Sequence, residues 1–288
     1  MLTTAQRRAF DADGYLVIPA FKGAAELAEV RARAEAIVAA YEPGASSAIF
    51  STRDPALTAD AALIASADQV HCFFEEEAFG ADGRLQVPQE RAINKIGHAL
   101  HERDPVFARF SRGSALAALA ADLGLVAPRV WQSQIIFKQP AIGGEVRWHQ
   151  DATFFVTDPI SVTTFWFALE DADVANGCLW VEPGGHRGVL RERFVREGDR
   201  LRLEKLDPTP WPGPDRARPL PCEAGALVVF HGLLPHYSAP NRSARRRLAY
   251  TLHATDGRAA YAATNWLQRG AGFAPRGFDD PEEEPLPR

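Results

Sequence analysis

Cysteine is too scarce in this chain to hold a fold together. Cys72, Cys178 and Cys222 form no CxxC pair and leave one thiol over in any pairing scheme. That excludes a disulfide framework or a thiolate-zinc scaffold and fits a reducing compartment. Positive charge is also short: 32 Lys and Arg face 37 Asp and Glu, giving a net charge of -5 and a pI near 5.9, opposite to the footprint of a nucleic-acid binder. No apolar run approaches the roughly 18 residues of a membrane span. The opening MLTTAQRRAFDADGYLVIPAF lacks the apolar centre of a secretory signal, and the closing PLPR is no peroxisomal address. A cytoplasmic protein with a small-molecule substrate and no nucleic-acid, membrane or obligatory protein partner is expected. Lysine is the rarest charged residue, four of the 32 basic side chains, which draws attention to Lys95 and Lys138.

What is present is an ordinary globular composition, 46% hydrophobic, 10% aromatic and 24% charged over 288 residues. At about 150 residues per domain two would fit, but barrels and jelly rolls of this size close around one core. One domain over 1–288 is expected, with a largely helical part at 1–125, a jelly-roll core at 126–268 and a tail at 269–288. In the first part, Thr3 or Thr4 caps a helix through Phe10, DADG turns, and Tyr15–Ile18 reads as a strand stopped by Pro19. Residues 24–41 place Leu27, Val30, Ala34, Ile37 and Val38 at helical spacing, ended by Pro43 and Gly44. The pattern weakens over 46–89, with a short helix near 59–66 and a polar surface excursion at AFGADGRLQVPQE. Residues 94–102 and 114–122 read as helices again.

After Pro128 the texture changes. VWQSQIIFKQ, SVTTFWFAL, CLWVE, GALVVFHG and RLAYTLHA are β-branched and aromatic runs of strand length, separated by AIGG, EPGGHRG, WPGPD and APNRS. Short strands without intervening helices indicate a mainly β fold, an antiparallel sandwich or jelly roll flanked by the N-terminal helices, and not βαβ units. FDDPEEEPLPR reads as a loose acidic tail.

Chemistry concentrates in three places. In RWHQDATFF, His149 and Asp151 are two residues apart, and in extended backbone such a pair projects to one face. A second histidine from another strand would complete the two-histidine, one-carboxylate set of non-heme Fe(II) oxygenases. Alone, HxD arises by chance on the order of once in two or three such chains. In FHGLLPHYSAPNRSARRRLAYTLH, His231 and His236 bracket the exit from an apolar strand, and His236 is the candidate third ligand. Arg247 follows eleven residues later, past Pro240 and Asn241, where a hairpin would bring it back alongside. A buried guanidinium there either pairs with a protein carboxylate or awaits a planar dicarboxylate. His71, His98 and His101 suit packing or surface roles, Arg245 and Arg246 a solvated flank, and FFEEEAF an acidic face without metal-site spacing.

HxD, a distal His and an Arg eleven residues on resemble the phytanoyl-CoA dioxygenase family of Fe(II)/2-oxoglutarate enzymes. INKIGHALHERDPVF, IFKQPAIGGEVRWHQDA, ALEDADVANGCLW, EPGGH, AYTLH and NWLQ resemble its phytanoyl-CoA dioxygenase domain-containing branch. The likeness runs from DGYLVI to NWLQ. It implies a double-stranded β-helix (cupin-like) core, His149, Asp151 and His236 as Fe(II) ligands, and Arg247 holding the distal carboxylate of 2-oxoglutarate, assisted by Ser238. It further implies co-substrate contacts from Lys95, Trp166 and Gln134, the last standing where a relative has Met, and a structural or pocket-edge role for His186. Because Asp151 is present, the halogenating variant of this chemistry, which replaces that carboxylate by a small residue, is disfavoured.

The expected reaction is hydroxylation of a C–H bond in a small organic substrate, consuming O2 and 2-oxoglutarate and releasing succinate and CO2. The alternatives are a cupin-like metalloenzyme, isomerase or dioxygenase, that does without 2-oxoglutarate, and a non-catalytic barrel scaffold. An acyl-CoA would want a basic, phosphate-binding rim that this acidic chain does not offer. Selectivity is expected to reside in residues 46–89 and in a loop over 187–219.

Overall fold

Thr3 sets the start of the first helix, α1 (Thr4–Asp13), through a reciprocal capping box. Its hydroxyl accepts from the Gln6 N–H while the Gln6 side chain accepts from the Thr3 N–H. Gly14, at φ 82°, ends the helix with its N–H on the Phe10 carbonyl and feeds β1 (Tyr15–Ile18). The computed structural model describes residues 1–42, 48–50, 60–270 and 272–279. The Pro43–Gly44 stop, most of 46–59 and the acidic end from residue 280 lie outside the described residues.

Helix α2 (Ala24–Ala40) buries Leu27, Val30, Ala34 and Val38, the stripe its spacing anticipates. There follow β2 (Ile49–Phe50), α3 (Asp60–Ala65), β3 (Val70–Glu75), α4 (Gln89–Ala92) and β4 (Ile93–His98). Helices α5 (Leu100–Arg103), α6 (Pro105–Phe110) and α7 (Ser114–Asp122) close this half. Asp104 caps α6 by accepting from Val106 and Phe107, with Pro105 at the first helical position. The helix expected at 94–102 is instead strand β4 followed by a single helical turn. Every residue of β4 is buried, so no polar alternation marks it as a strand.

The second half supplies β5 (Arg129–Lys138), β6 (Val146–His149), β7 (Thr157–Asp158), β8 (Thr163–Ala168), β9 (Leu179–Val181), β10 (Glu192–Glu197) and β11 (Arg200–Lys205). It continues with β12 (Arg218–Leu220), β13 (Leu227–His231), β14 (His236–Ser238), β15 (Arg247–Thr255) and β16 (Ala260–Tyr261). An eight-stranded sheet runs β1-β13-β8-β15-β5-β4-β3-β2 and faces a four-stranded sheet, β12-β9-β14-β6. Pairing is antiparallel except between β2 and β3. Thus β1 to β4, from the first hundred residues, complete the same sheet as β5, β8, β13 and β15. Within 187–219, expected as loop, β10 and β11 form a hairpin. The beginning of the tail is also packed: Phe278 is buried in the main core and Arg276 pairs with Glu102.

Strand β15 organises the interior. Leu248, Tyr250, Leu252 and Ala254 enter the main core with Phe107, Phe110, Leu116 and Leu119 of the helices. The alternate residues Arg247, Ala249, Thr251 and His253 therefore face the smaller sheet. Between the sheets lies a second cluster, including Trp166, Val181, Val228, Phe230 and Ala249. Phe107 is fully buried with its ring 5.2 Å from that of Tyr250. Phe107→Ala is expected to lower stability in urea unfolding by about 3–5 kcal/mol, because the helices are one wall of this core.

Candidate metal centre

His149 ends β6, and Gln150 continues the extended backbone at φ -120°, ψ 135°, so Asp151 emerges on the same side as His149. Gln150 points away, its amide bonded to the carbonyls of Val189 and Leu233. Directly opposite His149 across the β6–β14 pairing stands His236, with ring centroids 4.1 Å apart. One ligand atom from each of His149, Asp151 and His236 lies within 4.8 Å of the others, a spacing that fits a single metal ion.

The protonation pattern fits as well. His149 Nδ1 is 2.7 Å from the Arg147 carbonyl and His236 Nδ1 is 3.0 Å from the Leu234 carbonyl. A carbonyl only accepts, so both rings carry their proton on Nδ1 and turn the Nε2 lone pair toward Asp151. Those Nε2 atoms lie 3.5 and 3.7 Å from Asp151 Oδ1. Burial, with His149 nearby, pulls His236 down to about 4 and keeps it neutral. Burial alone would raise the Asp151 carboxyl; the surrounding histidines, with His253 donating a hydrogen bond, outweigh it and hold the group well below the usual carboxylate range.

Arg247, at the other end of this interior face, is only 1% exposed. It does not return by a hairpin: β14 and β15 belong to different sheets, and the turn around Asn241 crosses between them. Its Nη2 donates to Ser238 Oγ at 3.3 Å, while Nε and Nη1 are buried without a partner among the described residues. Burial draws the guanidinium down to about 10, which leaves it cationic at neutral pH. Its carbon sits 5.6 Å from the Trp166 ring centroid. Lys138, the cross-strand partner of Arg247, spends its ammonium on the carbonyls of Gly144, Ser238 and Ala239 and so braces the turn.

Lys95 and Gln134, on the adjacent strands β4 and β5, lie against each other. The Lys95 ammonium lies 3.4 Å from Gln134 Oε1 and 3.3 Å from the Phe50 ring centroid, and burial brings it down to about 7. Gln134 and Trp166 flank Thr251 in register on either side of β15. A lysine depressed on folding leaves the unfolded chain with more bound protons between about pH 7 and its ordinary value near 10.5, so its contribution makes stability rise with pH through that window. Lys95→Met is therefore expected to be more stable than wild type at pH 7, with the gap closing toward pH 10 in urea unfolding.

Residues set aside on sequence grounds behave as packing groups. His98 bonds Ser66, and His101 bonds Ser133 and the Val130 carbonyl. Arg246 is held by Glu170 and Glu35 rather than by solvent. Glu75 of the expected acidic face is buried at the Gly144 N–H, and burial raises it to about 7. Thr164 and His253, both on Asp151, escaped the sequence reading. Counting alternate residues along RLAYTLHA from Arg247 leads to His253 on the same face.

A sequence profile of the phytanoyl-CoA dioxygenase family matches residues 10–249. Phytanoyl-CoA dioxygenase 1 of Oryza sativa subsp. japonica is 45% identical over 269 residues, covering 93% of this chain and 94% of its own. Phytanoyl-CoA dioxygenase domain-containing protein 1 of Bos taurus is 41% identical, covering 93% and 95%. In fold, the chain resembles the epimerase SnoN, crystallised with Fe3+, α-ketoglutarate and nogalamycin RO, at a TM-score of 0.64 and 19% identity over 99% of this chain and 94% of that one. With a jelly-roll interior, a two-histidine, one-carboxylate cluster and likeness over nearly its whole length, the chain belongs to the phytanoyl-CoA dioxygenase family of iron- and 2-oxoglutarate-dependent oxygenases.

Proposed function

We propose that His149 Nε2, Asp151 Oδ1 and His236 Nε2 hold Fe(II), and that Arg247 with Ser238 holds the distal carboxylate of 2-oxoglutarate in a pocket lined by Lys95, Gln134 and Trp166. The observation that carries this reading is the Arg247 side chain, buried with Nε and Nη1 unpartnered among the described residues. An uncompensated buried cation is strongly unfavourable, and a dicarboxylate supplies the missing partner in the bidentate form a guanidinium matches. A metalloenzyme working without 2-oxoglutarate leaves that cation unexplained. Bound iron would supply activation of O2 coupled to oxidative decarboxylation of the co-substrate to succinate and CO2. The protein's own part is to orient the two partners, exclude water and present a C–H bond of a small organic substrate for hydroxylation.

The aromatic wall beside the metal cluster is where that substrate would lie. Phe154 stands edge-on to His149, and Phe194 of the β10–β11 hairpin packs on Phe154, which supports selectivity from 187–219. Several arginines in and around the hairpin are committed: Arg193 to Glu204, Arg202 to Glu197 and Glu204, and Arg191 and Arg216 to Glu182. That favours a small metabolite over a CoA ester, whose phosphates need free cations. All of this belongs to one oxygenase domain over 1–288, a reading supported by the shared eight-stranded sheet. A cytoplasmic location accords with three free cysteines; no helix among the described residues is long and apolar enough to cross a membrane.

Uncoupled turnover tests the proposal. Without any primary substrate, slow release of CO2 from carboxyl-labelled 2-oxoglutarate is expected, dependent on both Fe(II) and O2 and absent in His236→Ala. Iron-independent decarboxylation, or none under any condition, would remove the reading.

A further inference from the structure

Asp151 has two carboxylate oxygens, and the structure treats them differently. Oδ1 faces the Nε2 atoms of His149 and His236. Oδ2 accepts the Thr164 hydroxyl at 2.5 Å and lies 3.4 Å from His253 Nε2. Thr164 on β8 and His253 on β15 are direct cross-strand partners, so two neighbouring strands of the large sheet converge on one atom. The Asp151 turn is fixed from its other side, where the Ala152 N–H donates to the Gly232 carbonyl. We infer that Thr164 and His253 are positioning residues: they hold Asp151 Oδ2 so that Oδ1 alone is offered to the metal, which keeps the carboxylate monodentate and leaves coordination positions for the co-substrate and O2. The inference rests on the assignment of His149, Asp151 and His236 as the metal-holding set.

Packing alone does not explain an imidazole at position 253. Its ring is stacked on Phe155 at 4.8 Å, a contact that Phe would make equally well. While Nε2 donates to the carboxylate, Nδ1 is buried without a partner among the described residues. Such an atom destabilises the fold, and the grip on Asp151 is what offsets it. The hydroxyl at 164 has the same logic: Val would fill the same volume in a fully buried strand without the donor.

Metal-free protein titrated anaerobically with Co(II), and separately with Fe(II), tests this without reference to turnover. Thr164→Val and His253→Phe are each expected to weaken metal binding about 10–100-fold, the usual effect of losing a group that orients a ligand, and to change the Co(II) ligand-field spectrum. Thr164→Ser and His253→Gln, which keep a donor near Oδ2, are expected to restore affinity and spectrum. Wild-type affinity and an unchanged spectrum in Thr164→Val and His253→Phe overturn the clamp while leaving the ligand assignment intact. Failure of the wild-type protein to bind either metal overturns the assignment and the clamp with it. Thr164→Val is isosteric, so if His253→Phe does not fold, the valine variant decides alone.

Discussion

Arg247→Ala raises the dissociation constant for 2-oxoglutarate by roughly 100- to 1,000-fold while leaving metal affinity within about twofold of wild type. Truncating one partner of a buried, hydrogen-bonded charge pair costs about 2–5 kcal/mol, and each 1.4 kcal/mol is about tenfold. Arg247 is separated from the metal cluster along β15, touching Ser238 and Trp166 and none of the three ligands, so its loss spares the metal. Its effect on the protein without co-substrate runs the other way from that of an ordinary core truncation. Arg247→Met, close in length and uncharged, removes an unpaired cation and is expected to leave the ligand-free protein at least as stable as wild type. Equilibrium dialysis for 2-oxoglutarate and urea unfolding check the two halves. A protein that keeps full affinity for 2-oxoglutarate without Arg247 holds its co-substrate elsewhere.

Asp151→Ala is expected to lower Fe(II) affinity by more than the roughly 10–100-fold typical of outer partners, because it deletes the one anionic ligand of the set. It also exposes a pH-dependent share of stability. The Asp151 carboxyl is held well below its ordinary value near 3.8, so its contribution to the metal-free fold is complete above that value and is lost as pH falls below it toward the lowered folded value. Metal-free Asp151→Ala is therefore expected to be less stable than wild type at pH 7, with the difference narrowing below about pH 4. Denaturant unfolding at both pH values, with chelator present, measures it. A difference that persists unchanged in acid would mean that the carboxylate is not stabilised by the imidazoles around it.

The strands of the second half were legible because β-branched and aromatic runs alternate with Gly, Pro and Asn turns. Strand β4 was not, because INKIGH is buried on both faces and lacks the period-two signal. The metal cluster was legible because His149 and Asp151 are close in sequence and Gln150 keeps the backbone extended. The burial of Arg247 was legible and its route was misread: no local signal shows that the turn at Asn241 crosses from one sheet to the other. Thr164 and His253 act on Asp151 from strands distant in sequence, so only the assembled register reveals them. The ion pairs that occupy the hairpin arginines are likewise beyond a net-charge argument.

The account stands most directly on one titration. Metal-free protein is taken anaerobically to one equivalent of Fe(II), and 2-oxoglutarate is then added while visible absorption is followed. A metal-to-ligand charge-transfer band that grows to one equivalent, and disappears on admitting O2 as succinate forms, is the expected result; iron that binds without any such band would contradict the joining of His149, Asp151, His236 and Arg247 into a single iron and 2-oxoglutarate site.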